Sequence, residues 1–85
     1  MYKIEIYPDA QDQIGALPVV AQHLLSEAFA VIQLLPWNGL SVNTQNPDGA
    51  LRRFLFGPEG AGMVTYLVLD DQREVHVVQV LWLGD

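Results

Sequence analysis

The sequence predicts an α+β domain with the element order β-α-α-β-β-β, in which an antiparallel sheet packs on two N-terminal helices. The main observation is a C-terminal pair of apolar runs, Met63–Leu69 and Glu74–Leu83, separated by the polar break Asp70–Arg73. Runs rich in Val, Leu, Tyr and Trp on either side of a short polar break are typical of adjacent antiparallel strands. Two patterns come before them, an alternating stretch at Tyr2–Tyr7 and apolar residues at helical spacing over Pro18–Leu35.

The first predicted strand, Tyr2–Tyr7, alternates between apolar and polar side chains and is therefore expected to be half-buried. Pro8 ends this strand, and Asp9 is expected to cap a short helix that runs to about Ala16. The apolar side of that helix consists of Ala10, Ile14 and Leu17.

The second predicted helix, Pro18–Leu35, is indicated by a broad apolar stripe at helical spacing. The stripe contains Val20, Ala21, Leu24, Leu25, Ala28, Val31, Ile32 and Leu35. Pro18 suits a first helical turn, and the segment Pro36–Gly39 ends the helix because Pro cannot continue the hydrogen-bond ladder.

The second half of the chain is predicted to be mostly sheet. Leu40–Gly49 is interpreted as an irregular loop, Leu51–Phe56 as a strand, and Gly57–Gly62 as the turn that leads into the C-terminal hairpin. The Gly-rich turn lacks the Lys and the following helix of a phosphate-binding loop. The sequence therefore predicts no cofactor site there.

The last predicted strand is apolar on both alternating faces, since Val75 and Val77 lie on one and Val78, Val80 and Trp82 on the other. We interpret it as a central strand, both faces of which need cover. Two helices cover one face of the sheet, so the other face is a candidate binding surface. A single bulge in this strand would exchange the two faces, and with them the side on which His76 lies.

The composition predicts one domain, residues 1–85, with 51% apolar residues to form a core. Cysteine is absent, and neither a signal-peptide pattern nor an apolar run long enough for a membrane span is seen. We therefore expect a cytoplasmic protein without disulfides or a membrane association. The acidic pair Asp70–Asp71 is interpreted as part of a turn and not as a metal site, because no His or Cys stands nearby.

The net charge of −6 includes only four fixed cations, at Lys3, Arg52, Arg53 and Arg73. Nucleic-acid-binding domains gain most of their affinity by neutralising phosphates with a basic surface. The charge therefore weighs against tight RNA or DNA binding.

The layout resembles the RelE/ParE superfamily of toxins from toxin–antitoxin systems over essentially the whole chain. The resemblance rests on the first strand with Pro8 and Ala10 after it, on the joints Gln13-Ile14 and Leu17-Pro18 between the helices, and on the break Pro36-Trp37. It rests also on Leu51-Arg52 at the start of the second long strand and on Tyr66–Asp70 before a Val-rich last strand.

This resemblance implies either ribosome-dependent mRNA cleavage or inhibition of DNA gyrase, with an antitoxin wrapped round the toxin. The cleaving members are similar in carrying basic residues on the second long strand, an Arg early in the third strand, and Arg, His or Tyr near the C-terminus. Arg52 matches the second-strand position, but Met63 stands where the third-strand Arg would be, and the chain ends at Leu83-Gly84-Asp85. Most of the cleavage residues that the resemblance implies are therefore missing.

The residues themselves offer few groups for RNA cleavage, which needs a base, an acid and cationic stabilisation of the phosphorane. The possible acid–base groups are His23 and His76, with His76 as the candidate. Arg52 and Arg53 are the possible cations and are expected on opposite faces of their strand. As an alternative, both arginines are exposed strand cations that discourage edge pairing. His23 precedes Glu27 by one helical turn, so we expect a surface pair between them.

Met63 and Trp82 are the candidates for contact with a partner, and Trp is over-represented at interface hot spots. Trp82 is equally well interpreted as a core residue, and Trp37 is expected in the core. The sequence favours a toxin-like protein that acts through protein binding, with a cognate antitoxin as partner and without catalysis. A ribosome-dependent endoribonuclease and a non-toxic homodimeric interaction module are the alternatives.

Overall fold

A computed structural model describes residues 1–43, 45–46 and 48–84. The strands are β1 (Lys3–Ile6), β2 (Leu40–Ser41), β3 (Leu51–Phe56), β4 (Gly62–Leu69) and β5 (Glu74–Trp82). The helices are α1 (Pro8–Gly15) and α2 (Val19–Leu34), and single 3-10 turns are formed by Pro36–Asn38, Pro58–Gly60 and Asp70–Gln72. Positions 44 and 47 of the predicted loop and position 85 at the end of the chain lie outside the described residues.

All the described strands form one sheet in the order β1-β5-β4-β3-β2. Neighbouring strands from β2 to β5 are antiparallel, and β1 lies parallel to β5 at the edge. The predicted α+β fold and the interior position of the last strand are confirmed. The predicted loop at Leu40–Gly49 is wrong at its start, because Leu40 and Ser41 pair with Arg53 and Arg52.

A bulge interrupts the pairing of β4 with β5. Thr65 pairs with Gln79 but the next residue, Tyr66, pairs with Val77, so that Val78 is left over. The extra residue reverses the alternation beyond it. As a result Val75, Val77 and Val80 are all buried on one side, which corrects the prediction that Val75 and Val77 lie on one face of β5 and Val80 on the other.

The two helices begin at prolines or directly after them. Pro8 is the first residue of α1 and Tyr7 is its N-cap, so the prediction that Asp9 caps this helix is wrong; Asp9 lies in the first turn. Proline fits the first helical position because its missing N–H is not needed there. No described helix is long and apolar enough to cross a membrane.

Helix α2 buries a narrower stripe than its sequence pattern predicts. The buried residues are Ala21, Leu25, Ala28 and Ile32. Val20, Val31 and Leu35 belong to the predicted stripe but are exposed. One flat sheet covers only one side of a helix, so residues at the margins of a broad apolar stripe stay in contact with solvent.

The core lies between the helices and one face of the sheet. Helix α1 packs mainly on β5, while α2 contacts β3 and β1. The largest fully buried side chains are Tyr66, Ile32, Val64, Val75 and Val77. Among the described residues no helix packs on the opposite face of the sheet, which is where a functional surface was predicted.

Candidate functional site

The sheet face opposite the helices, called here the open face, is defined by the residues that alternate with the buried ones. It consists of Lys3, Glu5, Leu40, Leu51, Arg53, Leu55, Met63, Thr65, Leu67, Leu69, Glu74, His76, Gln79 and Leu81. Residues paired directly across neighbouring strands share a face and lie close enough to touch. The register of the sheet therefore gives the layout of this surface.

An aliphatic row crosses the open face at one end. Met63 on β4 pairs with Leu55 on β3 and with Leu81 on β5. Leu55 is 51% exposed and Leu81 is 40% exposed, so this row is accessible to a partner. Leu67 pairs with Leu51 further along β4 and β3 and adds a second aliphatic pair. Exposed apolar residues that adjoin one another in this way mark interaction surfaces.

A polar row separates this aliphatic row from the aliphatic pair Leu51 and Leu67. Arg53 pairs with Thr65, and Thr65 pairs in turn with Gln79 on β5. No carboxylate of the described residues forms an ion pair with Arg53. The open face thus offers one guanidinium group with apolar side chains on both sides of it.

His76 lies on the open face at the junction of β1 and β5, opposite Glu5. The Tyr7 hydroxyl is 2.9 Å from Nδ1 of His76, and Oε1 of Glu74 is 2.9 Å from its Nε2. The ring of Tyr7 also meets the imidazole edge to face, with centroids 5.4 Å apart. In the neutral tautomer with the proton on Nε2, His76 donates to Glu74 and accepts from Tyr7.

The two hydrogen bonds limit what His76 can do chemically. A general base needs a free lone pair within hydrogen-bond reach of the proton that it removes. Both ring nitrogens of His76 are already engaged, so a substrate proton would reach the imidazole only through the Tyr7 hydroxyl or by displacing it. Lys3 on the neighbouring strand is in turn paired with Glu5 at 3.0 Å.

Arg52 lies on the other face of β3 and is a structural residue. Only 8% of its surface is exposed, which excludes the alternative that it is an exposed cation discouraging edge pairing. Its Nε donates to the carbonyl of Gly49 at 3.0 Å and its Nη1 to that of Gly39 at 3.1 Å. The guanidinium also stacks on Trp37, 4.9 Å from the ring centroid. Arg53 and Arg52 point to opposite faces, as predicted, so only Arg53 shares a face with His76.

Trp37 is 40% exposed, which corrects the prediction that it lies in the core. Its indole nitrogen donates to Oδ1 of Asp70 at 3.1 Å, and the Tyr2 hydroxyl donates to the same oxygen at 2.5 Å. These hydrogen bonds, the Tyr2 bond first, lower the pKa of Asp70, and the bond to Asp70 raises the pKa of Tyr2. The cluster joins the turn after α2 to the β4–β5 turn, and it lies away from the open face.

The two predicted partner-binding residues lie on different sides of the molecule. Met63 is on the open face, whereas Trp82 is half-buried on the helix side and stacks on Phe56 with ring centroids 5.8 Å apart. Leu81, and not Trp82, lies opposite Val75 and Val77 on the open face, whereas the sequence pattern put Trp82 opposite these two valines. Sequence reasoning missed Leu81 because the bulge at Val78 reverses the alternation of β5.

The predicted surface pair of His23 with Glu27 is not among the ion pairs of the described residues, and both side chains are exposed. Throughout the part of the chain that the structure describes, no group of three or more His, Asp or Glu side chains is placed to hold a metal ion.

Comparison with known proteins gives a result at the level of the fold. The sequence matches no protein-family model, and it matches no curated protein sequence. Solved structures do match: a chain of the intact E. coli RelBE toxin–antitoxin complex superposes with a TM-score of 0.80 at 14% identity, covering 100% of both chains.

Two further structures agree with this result. The isolated E. coli RelE toxin matches with a TM-score of 0.80 at 13% identity, over 100% of this chain and 87% of that one. A chain of the RelBE2 toxin–antitoxin complex of Mycobacterium tuberculosis matches with a TM-score of 0.74 at 16% identity, over 95% and 96% of the two chains. The chain therefore has the fold of the RelE toxins, with a sequence far diverged from them.

Proposed function

We propose that this chain is the toxin-like component of a bacterial toxin–antitoxin pair, that it works in the cytoplasm, and that it acts by binding a protein and not by cutting RNA. The fold supports the first part, since structures with this fold include toxins solved in toxin–antitoxin complexes. By the same likeness, the expected partner that holds it inactive is a cognate antitoxin.

One observation carries the second part of the proposal, namely the aliphatic row Leu55–Met63–Leu81 on the open face. Met63 stands at the position where the resemblance to the cleaving toxins implies an arginine. An aliphatic row contributes to protein binding by removing apolar surface from water, but it cannot stabilise the charge of a phosphorane. The partner-binding role of Met63 therefore belongs to this proposal, together with Leu55 and Leu81.

Induction of the chain in a bacterial host tests the proposal, with growth, protein synthesis and DNA supercoiling followed together. We expect growth to stop, and we expect Leu55→Ser/Leu81→Ser to relieve the inhibition because both side chains are exposed contributors to the row. The matched control Arg53→Ala/His76→Ala should remain as toxic as the original chain. Loss of toxicity in the control but not in the leucine variant would reject the binding mechanism.

The endoribonuclease is the second candidate because Arg53 and His76 share the open face, with Tyr7 and Glu74 hydrogen-bonded to the imidazole. Primer extension on host mRNA after induction distinguishes it. New mRNA ends that disappear with Arg53→Ala/His76→Ala would establish cleavage. Arg52 is not used in this test because its substitution would remove buried hydrogen bonds and unfold the loops that it holds.

The non-toxic homodimeric module is tested by light scattering on the purified chain. A doubled mass that returns to the monomer value in Leu55→Ser/Leu81→Ser, combined with normal growth of the host, would favour that function over the proposed one.

A further inference from the structure

A cleft of about 550 Å³ lies on the helix side of the molecule, between the start of α2 and the end of β5. Its walls are Val20 and Leu24 of α2, the turn Pro58–Ala61, and the segment Trp82–Gly84. The cleft is therefore separate from the open face, whose residues point to the other side of the sheet. Its volume lies within the range of about 300–1,000 Å³ that is usual for ligand sites.

The walls of this cleft, called here the α2–β5 cleft, expose apolar side chains to solvent. Val20 is 56% exposed and Leu83 is 86% exposed. The indole N–H of Trp82 is buried and has no hydrogen-bond partner among the described residues. Exposed apolar walls of this kind favour an occupant with apolar side chains, and a polypeptide segment is such an occupant.

The charge around the cleft has one sign. Glu59 is exposed in its wall, and Glu27 follows Leu24 by three residues on α2. The sequence contains no Lys or Arg between Lys3 and Arg52, so the whole helical layer carries carboxylates without a fixed cation. An occupant with basic side chains is favoured electrostatically at this rim, and one with acidic side chains is disfavoured.

The backbone at Glu59 has an uncommon conformation in the wall of the cleft. Glu59 has a φ of +58°, between Gly57 and Gly60, which also have positive φ. The left-handed region is uncommon for residues other than Gly, Asn and Asp. A glycine or asparagine would fit this turn with less strain, but it would not place a carboxylate at the cleft.

We propose that the α2–β5 cleft binds a cationic, apolar-containing polypeptide segment of a partner protein, with an apolar side chain between Val20 and Leu83 and a Lys or Arg at Glu59. This site is independent of the proposed function, because it uses the opposite side of the sheet and does not require toxicity. A second copy of the chain is a poor occupant, since it has a net charge of −6.

Selection from a library of random short peptides displayed on phage tests the chemistry of the occupant. The immobilised chain is compared with Val20→Lys, which places a cation and a long side chain in the cleft. Val19→Lys is the matched control, because Val19 is a neighbouring exposed valine that does not line the cleft. We expect the original chain and Val19→Lys to enrich peptides that combine Lys or Arg with large apolar residues, and Val20→Lys to enrich none.

Titration of an enriched peptide locates its site. In a Trp37→Phe background, Trp82 is the remaining tryptophan and reports directly on the cleft. We expect a shift in Trp82 emission on binding, at least a tenfold weaker Kd in Val20→Lys, and a weakening of about two- to fivefold in Glu59→Gln. Asp12→Asn, which removes an exposed carboxylate from α1, should leave the Kd unchanged.

Several outcomes would overturn the proposal. They are a selected pool without basic residues, the same pool from Val20→Lys as from the original chain, and binding that leaves Trp82 emission unchanged. A dimer in solution that Val20→Lys dissociates would assign the cleft to a second copy. None of these measurements uses host growth, so their failure is distinguishable from failure of the proposed function.

Discussion

The hydroxyl of Tyr66 is buried and donates a hydrogen bond of 2.7 Å to the carbonyl oxygen of Pro36. Gly39 lies directly against this hydroxyl, and a Cβ at that position would overlap it. Arg52, the neighbour of Tyr66 across β3 and β4, holds the carbonyl of the same glycine. These side chains fix the connection between α2 and β3 to the sheet, which explains why Arg52 is a structural residue.

Burial raises the pKa of Tyr66 to about 12, because the phenolate would lose its hydration. In the unfolded chain the phenol titrates near its ordinary value of about 10. Below pH 10 the group is protonated in both states, and above it the unfolded chain loses its proton first. We therefore expect the free energy of unfolding to fall by about 2–3 kcal/mol between pH 10 and pH 12 on account of this group.

Urea denaturation of the original chain and of Tyr66→Phe across this pH range isolates the effect, because every other titratable side chain is present in both proteins. At neutral pH, Tyr66→Phe should be less stable by about 1–2 kcal/mol, since it leaves the Pro36 carbonyl without its buried donor. The difference in the free energy of unfolding between the two proteins should shrink as the pH rises from 10 to 12, because only the original chain has the phenol of Tyr66. Equal pH slopes in the two proteins would contradict the raised pKa.

At the scale of the elements, the bulge in β5 decides which side chains reach which surface. The pairing of β4 with β5 shifts by one residue at the bulge, and Val78 is the residue of β5 that has no partner on β4. Removal of Val78 alone would give a regular strand in which Val77, Val80 and Trp82 still face the helices. Removal of Val80 would instead bring Gln79 to the buried side.

We expect the deletion of Val78 to give a folded protein that keeps the emission of Trp82 and the aliphatic row of the open face. The deletion of Val80 should cost about 2–4 kcal/mol more, because it removes a buried valine and places an amide in the core. Thermal unfolding followed by circular dichroism measures both variants. If the deletion of Val78 is the more harmful of the two, the assigned register at the bulge is wrong.

At the scale of the whole molecule, the positions of the four fixed cations decide whether the surface can bind a nucleic acid. Of the four fixed cations, Arg52 is buried, Arg73 stacks on the ring of Tyr2 at 4.6 Å, and Lys3 is paired with Glu5. Arg53 is the remaining cation, and it stands between aliphatic residues. The described surface therefore has no basic stripe with which to follow a nucleic-acid backbone.

We accordingly expect no saturable binding of a short single-stranded RNA at 0.1 M salt and protein concentrations up to about 100 µM, the weak end of the usual non-specific range. Fluorescence anisotropy of a labelled RNA measures this directly. Glu5→Lys/Glu74→Lys, which makes one side of the open face basic, provides a positive control. Micromolar binding by the original chain, with a steep dependence on salt, would refute the expectation and strengthen the endoribonuclease candidate.

The sequence predicted those elements whose patterns are local. The long helix, β3 and the C-terminal hairpin were found because apolar spacing and breaking residues lie within each segment. Trp82 was assigned to the face opposite Val75 and Val77, which is wrong because alternation carries no information across a bulge. Arg52 resembled Arg53 in every local respect although one is buried and the other is not.

By itself the sequence determined the fold class, the acidic charge and the uncovered side of the sheet. All of these depend on composition or on the period of a single segment. Only the tertiary structure decided that Arg52 closes two loops, that His76 is hydrogen-bonded at both nitrogens, and that Val20 and Leu83 form a cleft. Those facts depend on groups distant along the chain, whose approach is fixed by register and packing and leaves no pattern in any one stretch of sequence.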